Sequence, residues 1–597
     1  MVMSPGFPEG NQVSVLSREF GGRRLQRERS SVKRRILRLL ALTFLAGSLL
    51  FGLAVHESNP VLPDDDAYIT YRYADNLVNG QGLVYNPGQR VFGSSTPLYV
   101  AWLAGLRAVA RSVPTPELAV RANFIFYALT VVGVYLLLAA LGGSSTLSAL
   151  LAGLLGLNPE LLRASLGGME TFLFTSLLVW SLWAIMSRRF RLGAWLAGLS
   201  VLARPEGILV VVVVLLSLLT SGQARRGLVG LLLPGAIWIV FATAYFGTPI
   251  YHSILAKSRP LYPLPIGKAL RKLLDELAIW TAGGRAWLSS AASAICLPVL
   301  ALVLAAGAFG YVARVRRGSP GDAKPSGRFG AERAVPKSVL RGALAWAAMD
   351  CSLAVPALFE LFVAFYAVSN PLLFSWYYPP VEFLWFLALA SGVIFAAAWL
   401  KERRGPVLAS VPLLGLIGLV SVSALPPLLQ GTSARHPLTD MRLESTPELA
   451  RTIPYRAVTE WLNRVVRPGD TLMAPEIGSL GYRYGGRVID ACGLVSPEVL
   501  PFLPVPPNER IRPEAGAISL ELVKHLQCDV IVTMQRFACR SLYPSPWFHQ
   551  NYELVRQFEP ILPLRDWGPG GDTVDVFFRR GGRASSLRHD GQEQEGK

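Results

Sequence analysis

The sequence predicts a mainly α-helical, polytopic membrane protein with about eleven transmembrane helices and a small extracytoplasmic α/β domain at its C-terminus. Three observations lead there. Only 16% of the 597 residues are charged and 52% are hydrophobic, whereas a soluble chain carries about 25% charged residues. Apolar runs long enough to cross a bilayer recur between residues 36 and 426. Beyond about Leu428 the pattern becomes that of a globular domain, in which helix and strand signals alternate.

The first segment, Met1 to Arg35, is polar and carries Arg18, Arg23, Arg24, Arg27, Arg29, Arg34 and Arg35, so it reads as a disordered basic cytoplasmic tail. The run Ile36 to Val55 ends in "AVHESNP", a poor cleavage site, and reads as a retained helix rather than a signal peptide. Further runs lie at 119–141, 145–158, 169–186, 191–204, 205–221, 226–246, 288–313, 344–369, 380–400 and 406–426, with those at 145–158 and 191–204 short.

The net charge of +18 is not distributed as a nucleic-acid surface. Arg188, Arg189, Arg191, Arg225, Arg226, the loop Arg314 to Arg341 and "KERR" (Lys401 to Arg404) lie between apolar runs, as cytoplasmic loops do. With the N-terminus inside, an odd number of spans puts every one of these clusters inside. That scheme requires Pro97 to Val113, which carries Arg107 and Arg111, to lie along the outer interface without crossing. The expected division is therefore a tail at 1–35, a transmembrane domain at 36–428 with an external loop at 56–118, an extracytoplasmic α/β domain at 429–580, and a disordered tail at 581–597.

In the α/β domain the patterns predict a helix near Tyr455–Val466, strands near Thr471–Ala474 and Arg487–Asp490, a helix at Ile518–Leu526 and a strand at Asp529–Met534. Five cysteines are too few for a disulfide framework and have no metal-ligand spacing. Cys296 and Cys351 lie in apolar runs, while Cys492, Cys528 and Cys539 leave room for one disulfide. No internal repeat, Gly-rich phosphate loop or HExxH-type site is present.

Polar residues that interrupt apolar runs are expensive and point to function. Here they converge on one side: Asp64, Asp65, Asp66 and Arg72 in the first loop; Glu160, Arg163 and Glu170 in "NPELLRASLGGMET"; Arg204 and Glu206 in "LARPEG"; Lys257 and Arg259; and "SNPLLFSWYYPP" with Tyr377 and Tyr378. Plainer readings stand beside this. An aspartate before "AYITYRYADNL" suits a helix N-cap. Arg204 and Glu206 suit a local ion pair, and "WYYPP" suits an aromatic belt. Three adjacent aspartates exceed what one cap needs. Arg72, two helical turns after Asp65, is placed to hold that carboxylate ionised.

The stretch "DDAYITYRYADNLVNGQGLVYNPGQRVFGSSTPLY" (Asp65 to Tyr99) resembles the first external loop of a group in the GT-C superfamily of membrane glycosyltransferases, which includes actinobacterial terminal β-(1→2)-arabinofuranosyltransferases. That loop runs approximately DDAYI-S/T-YRYA, NL, G-x-GLV, NPGE and VEGYTNPLW. "GGMETFLF", "LARPEG", "APEIGSLGY" and "VIDACGLVSPE" are similar to further segments of the group, and the resemblance extends over most of 36–580. "VFGSSTPLY" departs from the pattern by lacking its acid and Asn, which leaves the sugar open.

The resemblance implies transfer of a sugar from a polyprenyl-phosphate donor, with inversion, to a cell-envelope glycan or glycolipid at the extracytoplasmic face of the plasma membrane. Such a transfer needs a carboxylate base for the acceptor hydroxyl and cations for the departing phosphate. Asp65 takes the position of the base, with Asp66 orienting it or the acceptor. Arg72, Arg204 and Lys257 are the phosphate partners. Glu170 and Glu206 bind sugar hydroxyls or orient the cations, and Tyr377 and Tyr378 are further substrate-binding candidates. A divalent cation (Mg, Mn or Ca) is compatible, although no ligand set demands one. Mannose or another hexose, or a protein acceptor, fits the same residues. A lipid or solute transporter fits them less well, because its polar residues lie near the midplane and often in related halves.

Overall fold

The computed structural model describes residues 10–259, 264–281, 354–430, 449–467, 469–512, 515–559 and 573–582. The expected span at 288–313, the first part of that at 344–369, the loop Arg314 to Arg341, and Cys296 and Cys351 lie outside the described residues.

Helices dominate. They are α1 (Gly10–Ser58), α2 (Ala67–Val78), α3 (Pro97–Val109), α4 (Thr115–Ala140), α5 (Ser145–Leu155), α6 (Pro159–Ser165), α7 (Thr171–Met186), α8 (Phe190–Ala203), α9 (Gly207–Thr220), α10 (Ala224–Phe246), α11 (His252–Ser258), α12 (Lys268–Thr281), α13 (Ala354–Ser369), α14 (Tyr378–Arg404) and α15 (Pro406–Gln430). Each apolar run predicted within the described residues coincides with a helix. Helix α1 also takes in the segment from Gly10 that reads as disordered from composition. Once the apolar turn has nucleated, extending a helix through Arg, Leu, Gln and Glu adds a hydrogen bond per residue fixed.

By length and composition, four helical segments among the described residues suffice to cross a membrane: Ser31–Ser58, Thr115–Ala140, Ala224–Phe246 and Ser375–Arg404. Helices α5 and α6 make a fifth if taken together, bent by 64°. Asn158 explains the break, since its side chain accepts from Glu160 N and Leu161 N and Pro159 opens the new helix. The remaining apolar helices among the described residues are shorter, 10–17 residues each. Polar turns, not long hydrophobic stretches, separate α7, α8 and α9. Small residues let these helices meet closely: a side chain on Gly198 of α8 would collide with the Gly230 carbonyl of α10.

The C-terminal part contains the expected α/β unit. A five-stranded sheet has the order β2-β1-β3-β5-β4, from β1 (Thr471–Ala474), β2 (Arg487–Asp490), β3 (Val530–Met534), β4 (Tyr552–Phe558) and β5 (Val574–Arg579). Strands β1, β2 and β3 run parallel; β5 is antiparallel to both β3 and β4. Every residue of β3 is buried, as a central strand covered on both faces requires. Helices α16 (Leu449–Val465), α17 (Ser479–Arg483), α18 (Leu520–Leu526), α19 (Gln535–Ala538) and α20 (Pro546–Asn551) complete it. Cys492, Cys528 and Cys539 are free thiols, so the disulfide left open by the sequence is not formed among them.

The α/β unit is bolted to the loop that follows α1. Asn86 and Val488 exchange hydrogen bonds through the Asn86 amide, at 2.8 and 3.1 Å. Tyr85 donates to the Ile477 carbonyl at 2.7 Å, and Tyr482 donates to Asp75 at 2.8 Å. These are buried or half-buried bonds between segments about 400 residues apart in sequence.

Candidate active site

A cavity of about 760 Å³ opens where the helices meet the α/β unit. Its walls come from the start of α2, the segment Gly93–Thr96, the starts of α7 and α9, helix α11, and the connection between α13 and α14. Asp66, Glu170, Arg204, Glu206, Lys257 and Tyr377 all line it, so six of the nine predicted site residues meet in one place.

Three of these are carboxylates at helix N-cap positions. Asp66 precedes α2, Glu170 precedes α7 and Glu206 precedes α9, and none makes a side-chain capping bond to its own helix. The capping alternative is thereby removed for Asp66. These side chains serve the cavity, and the positive ends of three helices sit beneath them.

Arg204 organises the centre. It donates to Glu170 Oε1 at 3.0 Å and grips both Glu206 oxygens, at 3.0 and 3.4 Å. All three side chains are at most 8% exposed. The guanidinium also stacks on Tyr377, 4.8 Å from the ring centre, and Tyr366 donates to Glu206 at 3.4 Å. Burial works against the Arg204 charge, but Glu206 and Glu170 outweigh it and raise its pKa. Burial pushes the Glu170 carboxyl up, opposed by Arg204. At Glu206 burial acts in the same sense, but Arg204, holding both oxygens, and Lys257 keep it below its ordinary value. The ion pair expected at Arg204 and Glu206 is present, then, as part of a buried triad that includes Glu170.

Lys257 differs from Arg204. Its side chain is exposed toward the cavity. Tyr377, together with Asp66 and Glu206, raises its pKa against burial, so the ammonium stays charged. Arg204 is committed to two carboxylates, whereas among the described residues Lys257 is a second cation in the lining.

Three predicted site residues lie elsewhere, for identifiable reasons. The Asp65 carboxylate accepts from Gly478 N at 3.2 Å and Ser479 N at 2.8 Å, at the start of α17 in the α/β unit. Arg72 lies outside the cavity lining. Its guanidinium donates to the carbonyls of Tyr85 (2.8 Å), Tyr484 (3.2 Å), Gly486 (3.1 Å) and Gly481. Asp65 and Arg72 thus join the α2 segment to the α/β unit. Tyr378 opens α14 outside the cavity lining, with the Lys272 ammonium 6.0 Å from its ring centre.

Sequence reasoning missed the supports of Glu170. Tyr71 and Tyr99 both donate to the Gly168 carbonyl, at 2.8 and 2.9 Å, and Asn123 donates to the Met169 carbonyl at 2.9 Å. Gly168 has φ +71°, and a side chain there would strike the Tyr71 hydroxyl. It also missed the hydroxyls of Ser94, Ser95 and Thr96, and Trp376, all in the lining. An Asn inside an apolar run, as Asn123 is, was the available signal.

Among the described residues no group of three or more His, Cys, Asp or Glu is placed to hold a metal ion, and Glu170 and Glu206 both hold Arg204.

A family model described as "Domain of unknown function (DUF8728)" matches residues 445–577, which take in the α/β unit up to β5. No curated protein matches the chain. Among solved structures, the chain is similar to the Archaeoglobus fulgidus oligosaccharyltransferase in complex with Zn and sulfate. The identity is 12% and the TM-score 0.46, over 87% of this chain and 72% of that one. It is also similar to ArnT from Cupriavidus metallidurans bound to undecaprenyl phosphate, at 13% identity and a TM-score of 0.43, over 90% of this chain and 97% of that one.

Proposed function

We propose that the chain is an integral-membrane glycosyltransferase that moves a sugar from a polyprenyl-phosphate donor to a hydroxyl of a cell-envelope glycan or glycolipid. The observation that carries this reading is the cavity in which a carboxylate at a helix N-cap, a Glu–Arg–Glu triad and an exposed lysine all line one space. The exposed apolar side chains of Ile254 and Phe365 at its lining suit a lipid-borne substrate. The N-terminus is cytoplasmic and the α/β unit extracytoplasmic in this proposal.

The base moves by one residue from the sequence expectation, to Asp66. In the step proposed, the acceptor hydroxyl gives its proton to the Asp66 carboxylate as its oxygen attacks the anomeric carbon. The bond from that carbon to the phosphate oxygen breaks, and the electron pair leaves with the polyprenyl phosphate. Attack opposite the leaving group inverts the anomeric centre. Lys257 offsets the charge gathering on the phosphate. Glu170 and Glu206, oriented by Arg204, accept from sugar hydroxyls, and Tyr377 presents a ring face to the sugar. An arabinofuranosyl group is the cargo of the group that the first loop resembles, and the departure at "VFGSSTPLY" leaves mannose or another hexose equally open.

Mass spectrometry of cell-envelope glycans after deletion of the gene tests the reading directly. Loss of one glycosyl substituent, restored by the wild-type chain, is the expected result; an unaltered envelope would sink it. Labelling of a single Cys beside Asp64 from outside the cell tests the sidedness.

Lys257→Met is expected to raise the KM for the lipid-linked donor about 10- to 100-fold, the loss of one charge-assisted contact of about 1.5–3 kcal/mol. Lys257→Arg should recover most of it. A KM within twofold of wild type in the Met variant would remove Lys257 from the phosphate site.

A further inference from the structure

The sheet domain touches the cavity through one loop. Asp490 ends β2, and the chain then wraps round its carboxylate, which accepts from Cys492 N at 2.8 Å, Leu494 N at 2.5 Å and Val495 N at 3.3 Å. Asp490 N donates to Ser496 Oγ at 2.9 Å, which closes the loop on itself. Cys492 is tucked inside, 7% exposed, with its thiol donating to the Pro475 carbonyl at 3.1 Å.

The outer rim of this loop is wedged between two cavity walls. On one side Val495 and Leu494 press on Gly93: a Cβ there would lie 2.6 Å from Val495 Cγ1 and 3.0 Å from the Leu494 carbonyl. Gly93, Ser94, Ser95 and Thr96 continue directly into the lining. On the other side the Gly493 backbone lies close to the His252 ring, and His252 N donates to the Phe92 carbonyl at 2.7 Å. His252 begins α11, the helix that brings Ser253 and Lys257 to the cavity. Leu494 itself lines the space.

We propose that the loop Asp490–Ser496 is the roof of the cavity and that Asp490 is its positioning residue, so that the matched domain acts by completing the membrane-embedded site in the same chain. One buried carboxylate holds the backbone N–H groups of Cys492, Leu494 and Val495 in place, and through them sets the spacing between the Gly93–Thr96 wall and the lysine-bearing helix. No other part of the sheet reaches the lining among the described residues. The functional meaning of the roof rests on the glycosyltransferase reading, whereas its geometry does not.

Thiol labelling of the purified full-length protein in detergent tests the proposal without reference to any substrate. Native Cys492 reports the loop, native Cys528 (1% exposed) reports the core of the unit, and a Ser95→Cys background reports the cavity to a polyethylene-glycol maleimide. Asp490→Ala is expected to speed labelling at positions 492 and 95 at least tenfold while Cys528 stays protected. Asp490→Asn keeps one acceptor oxygen and should fall between Ala and wild type. Gly93→Val pushes on the loop from the other side, leaves the sheet domain chemically untouched, and should give the same pattern. Three results would overturn the proposal: Cys492 as protected as in wild type in both Asp490→Ala and Gly93→Val, Cys492 freed with position 95 unchanged, or Cys528 exposed together with the others. An unaltered envelope in the deletion experiment would remove the transferase reading and leave these labelling results standing.

Discussion

Asp66→Asn is expected to lower transfer by roughly 10²- to 10⁴-fold, the range that a positioned general base supplies, with insertion and thermal stability near wild type. The amide keeps the size of the carboxylate but takes no proton at working pH, and Asp66 makes no capping bond whose loss would unravel α2. Asp65→Asn should behave differently. Its carboxylate accepts two backbone N–H groups at the start of α17, so its loss weakens docking by about 1–3 kcal/mol. That should appear as a lower thermal midpoint, with transfer per folded molecule reduced much less than in Asp66→Asn. The pair is measured side by side with labelled lipid-linked donor in membranes. Near-normal transfer by Asp66→Asn together with a dead, stable Asp65→Asn would return the role to Asp65.

The second large effect lies at Arg204. Arg204→Leu strands Glu170 and Glu206, two carboxylates that are each at most 8% exposed, without their shared cation. Breaking a buried ion pair from one side costs about 3–5 kcal/mol, so the purified variant should show a markedly lower thermal midpoint and poor yield. Adding Glu170→Gln and Glu206→Gln to Arg204→Leu removes the unpaired charges and should recover a good part of that midpoint without recovering transfer. A single Arg204→Leu variant as stable as wild type would show that the triad is not the structural centre of the site. An equal loss in the triple variant would place the damage in lost packing on Tyr377.

The adjacent aspartates show how the division between sequence and structure falls. "DDD" before "AYITYRYADNL" identifies a helix start and a concentration of charge, and the resemblance of the loop singles out its last two members. It does not say which of them faces a cavity, because successive residues at a helix start point about 100° apart and the choice depends on what packs against each. The α/β unit takes Asp65 and leaves Asp66 to the cavity. Arg72 was misread for the same reason. Its spacing from Asp65 suggested a partner on the same helix face, whereas its guanidinium reaches carbonyls in a segment about 400 residues away. The hydroxyls of Ser94–Thr96 and the tyrosines under Gly168 were invisible because polar residues in a loop and tyrosines near an interface look ordinary until their partners are known.

By itself the sequence determined that this chain is a mainly helical membrane protein ending in a small α/β unit, since hydropathy and periodicity are local and survive without knowledge of the fold. It also determined that Glu170, Arg204, Glu206 and Lys257 are unusual, because charge at the edge of an apolar run is unfavourable wherever the run ends up. Only the tertiary structure decided that these four share one cavity with Asp66, that Arg204 is held by two carboxylates, and that Leu494 from the loop after β2 reaches the same lining. Those are relations between segments far apart in the chain, and no local pattern encodes which distant backbone groups will claim a side chain's hydrogen bonds.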